Sequence, residues 1–150
     1  MSEALQEVKD VQALLDRPIN SFERPKPRPV GWYAATIMSR TYTRSSQKDT
    51  PGVELEYRIE EPVQDVDPQI LKETGGCPFT LSETMWITEA ASFRIRELGS
   101  HIGLPDSGKS LREIIELLPG NRVKVYIMQR KSNRQGGNAL FNNISATLPL

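Results

Sequence analysis

One cysteine, Cys77, and one histidine, His101, are all that 150 residues offer of the two side chains most used for metal binding and nucleophilic chemistry. A lone cysteine cannot close an internal disulfide, and one cysteine with one histidine cannot build a Cys/His zinc site. A Ser-His-Asp triad would have to run through His101, which falls on a predicted helix among apolar neighbours with no nucleophile motif beside it. We therefore expect a structural histidine, no metal, no cofactor and no enzyme. Long apolar runs are missing as well, and Glu3, Glu7 and Lys9 stand where a signal peptide would need an apolar core. A cytoplasmic protein with no membrane partner is expected, in the host cytoplasm if a phage encodes it.

A net charge of either sign is also lacking, since 19 basic residues balance 19 acidic ones. The balance conceals a strong segregation. Arg17, Arg24, Lys26, Arg28, Arg40, Arg44 and Lys48 face the single acid Glu23, whereas Asp49, Glu54, Glu56, Glu60, Glu61, Asp65, Asp67 and Glu73 face only Arg58 and Lys72. From Leu117 to Leu150 there is no acid. Both ends of the chain are basic and its middle is acidic, a pattern that leaves a polyanionic partner open.

What is present is a series of short periodic segments. Leu5, Val8, Val11, Leu14 and Leu15 have helical spacing and predict a short N-terminal amphipathic helix over 3–16, packed on the body or on a partner. Four prolines alternate with cations in Arg24-Pro25-Lys26-Pro27-Arg28-Pro29 and nearby Pro18, which predicts an extended, solvated linker, either a basic tether or a plain spacer. Residues 1–29 are thus read as an appended segment and 30–150 as the folded domain. In that domain Tyr33, Ala35 and Ile37 alternate with Trp32 and Thr36 on a first strand running to about Tyr42. Val53, Leu55, Tyr57 and Ile59 alternate with Glu54, Glu56 and Arg58 on a second.

A long acidic connection, 60–76, leads to a third strand with Phe79, Leu81, Met85 and Ile87 on one face and Trp86 on the other. Thr88 then suits the N-cap of a helix carrying Ala91, Ile95, Leu98 and Ile102, and Ser110 with Glu113 forms a capping box for a second helix. Two last strands, 122–129 and 140–148, flank a Gly/Asn-rich connection. The order is three strands, a helical segment and two strands, so the expected fold is mainly β with inserted helices: a five-stranded OB-fold barrel, a partly open Greek-key barrel. A sandwich with an inserted helical pair is the less economical alternative.

With the apolar faces inward, cations and aromatics share the outside. Trp32, Arg40 and Tyr42 fall on the outer face of the first strand, Trp86 on the third, Lys124, Tyr126 and Arg130 on the fourth, and Phe141 on the fifth. Arg44 and Lys48 lie in or beside one flanking loop, and Lys131 and Arg134 in the other. Single-stranded nucleic acid needs this mixture: positive charge for phosphates and flat surfaces for unstacked bases, each stacked base contributing about 1–3 kcal/mol. The same outward aromatics would also serve to pack under helices, and strand lysines to keep an edge soluble.

Gly103-Leu104-Pro105-Asp106-Ser107-Gly108-Lys109-Ser110 satisfies the phosphate-loop pattern G-x-x-x-x-G-K-S/T. In a nucleotide hydrolase that loop leaves a buried parallel strand, but a helical stripe precedes it here, and no later strand ends in the aspartate such a site needs. A helix start is the preferred reading.

The run Pro29-Val30-Gly31-Trp32-Tyr33, the Thr50-Pro51-Gly52-Val53-Glu54-Leu55 stretch, Met85-Trp86-Ile87, Leu98-Gly99-Ser100-His101-Ile102-Gly103-Leu104 and Asn142-Asn143-Ile144 resemble phage-encoded single-stranded-DNA-binding proteins over about residues 25–148. The resemblance implies an OB-fold binder acting in phage DNA replication or recombination, with single-stranded DNA as partner and replication or recombination proteins and self-association as further partners. The chain departs from many bacterial single-strand binders in ending Thr147-Leu148-Pro149-Leu150, without an acidic, phenylalanine-ended tail. The rival class is a virion or replisome protein-interaction module, motivated by the zero net charge.

Overall fold

Val53, Leu55, Tyr57 and Ile59 have no solvent exposure, whereas Glu54, Glu56 and Arg58 between them are exposed. That alternation makes a half-buried strand, each buried aliphatic contributing about 1.5–3 kcal/mol of burial free energy. The computed structural model describes residues 10–19, 26–105, 108–131 and 140–150. The strands are β1 (Gly31–Arg44), β2 (Pro51–Gln64), β3 (Phe79–Trp86), β4 (Arg122–Lys131) and β5 (Leu140–Leu148), and the helices α1 (Pro68–Glu73), α2 (Phe93–His101) and α3 (Leu111–Leu117). Residues 10–15 are also helical.

All pairings are antiparallel, and the strands form one open five-stranded sheet in the order β3-β2-β1-β4-β5. The fold is thus mainly β with a few short helices. One face of the sheet, carrying Tyr33, Ile37, Leu55, Tyr57, Val125 and Ile127, packs on Ile95 and Leu98 of α2 and Ile115 of α3. Gly99 lets α2 approach α3, since a Cβ there would stand 3.0 Å from Ile114 Cγ2.

The two edge strands share no ladder, and α2 ties them together. Arg94 Nη1 donates to Thr147 Oγ1 of β5 at 2.8 Å, and Arg94 Nη2 lies 3.4 Å from Glu83 Oε1 of β3. Tyr57 donates to the other Glu83 oxygen at 3.0 Å, and His101 Nδ1 shares a hydrogen bond with Thr147 Oγ1 at 2.9 Å. Burial raises the Glu83 carboxyl above its ordinary value and Arg94 opposes that rise; burial likewise holds the Tyr57 phenol well above its own.

Several expected boundaries move. The connection expected over 60–76 is partly ordered: β2 continues to Gln64, and Asp67 caps α1 by accepting from the Gln69 and Ile70 amides. Thr88 caps only a turn, through the Ala91 amide at 3.1 Å, and α2 begins at Phe93. The linker's end is not solvated. Pro29 is buried, the Arg28 amide donates to Asn142 Oδ1 at 2.7 Å, and its guanidinium sits 4.7 Å from the Phe79 ring centroid.

Candidate nucleic-acid interface

Cross-strand register decides which side chains share a face. Trp32 pairs with Tyr126, Ala34 with Lys124 and Thr36 with Arg122, all opposite the core side. The Trp32 and Tyr126 rings are 5.1 Å apart and inclined by 56°, and Lys124 Nζ stands 5.2 Å from the Trp32 ring centroid. A cation at that distance gains about 0.5–1 kcal/mol from the ring quadrupole at an exposed site. The same face continues outward along β4 and β5, where Met128 pairs with Asn143 and Arg130 with Phe141. Phe141 is 46% exposed and Met128 39%. Lys131, next on β4, is exposed and alternates to the opposite face.

Arg40 and Tyr42 do not belong to this face. The register between β1 and β2 slips between Ile37 and Ser39, so Arg40 pairs with Leu55 and Tyr42 with Val53, on the side of the helices. The bulge adds one residue and reverses side-chain parity beyond it. Arg40 forms an ion pair with Glu116 of α3, and the Tyr42 hydroxyl donates to the same carboxylate at 3.2 Å. Burial and that hydrogen bond raise the Tyr42 pKa. The outer-face expectation for these two residues is therefore corrected.

Trp86, Arg44 and Lys48 meet elsewhere on the molecule. Trp86 pairs with Gly52 on the outer side of β2 and β3. A Cβ on Gly52 would fall 2.7 Å from the indole Cε3, so the ring lies against bare backbone. Between the indole and the β1–β2 loop runs a cleft of about 750 Å³, lined by Arg44, Ser46, Lys48, Trp86, Thr88 and Ala91 among others, with no carboxylate residue in its lining. The loop is internally braced. Ser45 Oγ accepts from the Lys48 amide at 3.2 Å and the Thr50 amide at 3.1 Å, and Arg44 Nη1 donates to the Asp49 carbonyl at 3.1 Å. Arg134 lies outside the described residues.

Arg122 shares the outer face with Lys124, but its guanidinium pairs with Glu60 at 3.3 Å and Glu61 at 3.9 Å. Hydrogen bonding from Thr36 lowers the Glu60 pKa. This ion-pair row marks the border between the acidic outer face of β2 and the basic one of β4. Alternation alone does not pair Arg122 with acids two strands away, and the adjacent acids Glu60 and Glu61 are the only trace of this border in the sequence.

Ser110 and Lys109 of the phosphate-loop pattern sit between two helices. Ser110 accepts from the Glu113 amide at 3.2 Å as the α3 cap, the element before the pattern is α2, and residues 106–107 lie outside the described set. Among the described residues no group of three or more His, Cys, Asp or Glu side chains is placed to hold a metal, and no helix is long and apolar enough to cross a membrane. No protein-family profile and no curated protein matches the sequence.

Proposed function

We propose that the open sheet is a partly open OB-fold barrel and that the protein binds single-stranded DNA with little sequence preference, in phage replication or recombination. The observation that carries this reading is the Trp32–Tyr126 ring pair with Lys124 beside it on an outer sheet face that also exposes Phe141 and Arg130. A base stacked on this aromatic row brings its phosphate to a cation, and stacking tolerates any base because every base has a π-face. The strand order supports the barrel: β1 pairs with both β2 and β4, and α2 and α3 lie between the third and fourth strands. The bridge from Arg94 to β3 and β5 supports it further, by holding the free edges near one another.

A second reading, a protein-interaction module, draws on Val11, Leu14, Leu15 and Ile19, which are 50–86% exposed beside the helical residues 10–15. Titration of a mixed-sequence strand of about thirty nucleotides, read by tryptophan fluorescence, separates the two. Under the first reading Lys124→Glu with Arg130→Glu weakens binding at least tenfold, and affinity falls by about 0.7 log units per log unit of salt for each phosphate contacted. No binding at low salt by the folded wild-type protein would turn the case to the interaction module.

A further inference from the structure

We infer that the cleft under the β1–β2 loop holds a single nucleotide, with the base on Trp86 and the phosphate at Lys48 and Arg44, as an anchor separate from the outer face of β4 and β5. The inference rests on the strand-binding reading for its ligand class. The placement comes from the cleft itself.

Four observations point to a nucleotide. The indole is backed on one side by the Gly52 backbone and is 38% exposed, which leaves ring surface toward the cleft for a planar ligand. The lining supplies two cations, Lys48 and an Arg44 paired at 3.5 Å with Asp49 behind it, four hydroxyl-bearing side chains in Ser45, Ser46, Thr50 and Thr88, and no carboxylate residue, so an anion meets donors first. The loop carrying Lys48 is braced by Ser45 and Arg44, so little of it remains to be ordered by a ligand. The volume of about 750 Å³ falls in the range of small-molecule sites, roughly 300–1,000 Å³, and exceeds what a bare phosphate would fill.

The cleft is also remote from the ring pair. Gly52, which seats the indole, pairs with Thr43, eleven residues along β1 from Trp32, or at most about 36 Å at ~3.3 Å per residue. A bound strand would therefore be gripped at two points, and the anchor would work on a mononucleotide alone.

Trp32→Phe leaves Trp86 as the reporting indole, since the chain has two tryptophans. In that protein dAMP should quench Trp86 saturably in the millimolar range, with deoxyadenosine and inorganic phosphate each at least tenfold weaker. Lys48→Glu should raise the dAMP Kd at least fivefold, and Gly52→Ala, which displaces the indole, should do the same. Lys72→Glu, remote on α1, should change it less than twofold. A response to deoxyadenosine equal to that for dAMP, an unchanged Kd in Lys48→Glu, or no saturable response to dAMP overturns the pocket. A thirty-nucleotide strand that binds without perturbing Trp86 also overturns it while leaving strand binding intact. Saturable dAMP quenching with no strand binding by the wild-type protein keeps the pocket and removes the wider reading.

Discussion

Glu83 carries a carboxyl group into the gap between β3 and β5, where burial raises its pKa above the ordinary 4.5 and Arg94 and the Tyr57 hydroxyl counter the rise. A raised folded pKa means that the native state holds the proton more tightly than the unfolded chain. The associated stability is fully present below the unfolded value and is lost as pH rises through the folded one. Glu83→Gln removes that dependence. The melting-temperature advantage of wild type over the variant should therefore be largest near pH 4 and shrink as pH rises, and a constant difference would mean that the folded pKa is not raised. Alternation alone gives position 83 the inward parity of Leu81 and Met85, but nothing in it names Arg94, eleven residues later on a helix, as the partner. Trp32, Tyr126 and Phe141 were legible for the opposite reason: the irregularities near them fall on β2 and at Ser145, so counting by two along Gly31–Ile37, along β4 and over 140–144 reaches the correct face.

A strand is only as readable as its register. In β1 the count holds from Gly31 to Ile37 and fails after Met38, because a bulge inserts a residue and leaves no compositional trace. Arg40 and Tyr42 consequently bind Glu116 instead of facing outward with Trp32. Arg40→Ala should change affinity for single-stranded DNA less than twofold, against the larger loss on changing Lys124, and a tenfold loss would place Arg40 back in the interface. The pair itself is partly exposed, its side chains 31% and 42% accessible, so its stability contribution should stay within roughly 0–1 kcal/mol in a double-mutant cycle. The extension of β2 was hidden by Pro62, which argues against a strand interior. The ladder to β3 stops at Ile59, so past that point β2 is an edge strand and tolerates a residue without an N–H. α3 was legible from Ser110 and Glu113, because a cap is a local interaction written in adjacent residues.

Across the molecule, a formal charge of zero is divided between two halves of one sheet surface. Glu54, Glu56 and Glu61 are exposed along β2, while Lys124, Arg130 and Phe141 lie along β4 and β5, with Arg122 paired to Glu60 and Glu61 at the border. A polyanion on this surface is repelled from one half and attracted to the other, so the charge map sets a path as well as an affinity. Total composition could not reveal this, since only the fold puts β1 between the two halves.

The bridge from Arg94 to Glu83 and Thr147 gives this architecture a weak direction. β1 is bonded on both sides, whereas β3 and β5 each have one strand neighbour and, though they pass close to one another, are joined by a helix side chain and not by a ladder. Opening should therefore start there, as a local fluctuation well below the energy of global unfolding. In amide hydrogen exchange the protons of β1 between Tyr33 and Ile37 should be the slowest, and those of β3 and β5 faster. Arg94→Ala should accelerate β3 and β5 together while leaving β1 almost unchanged. Uniform acceleration would mean that the sheet breathes as a single unit and that the helix is no latch.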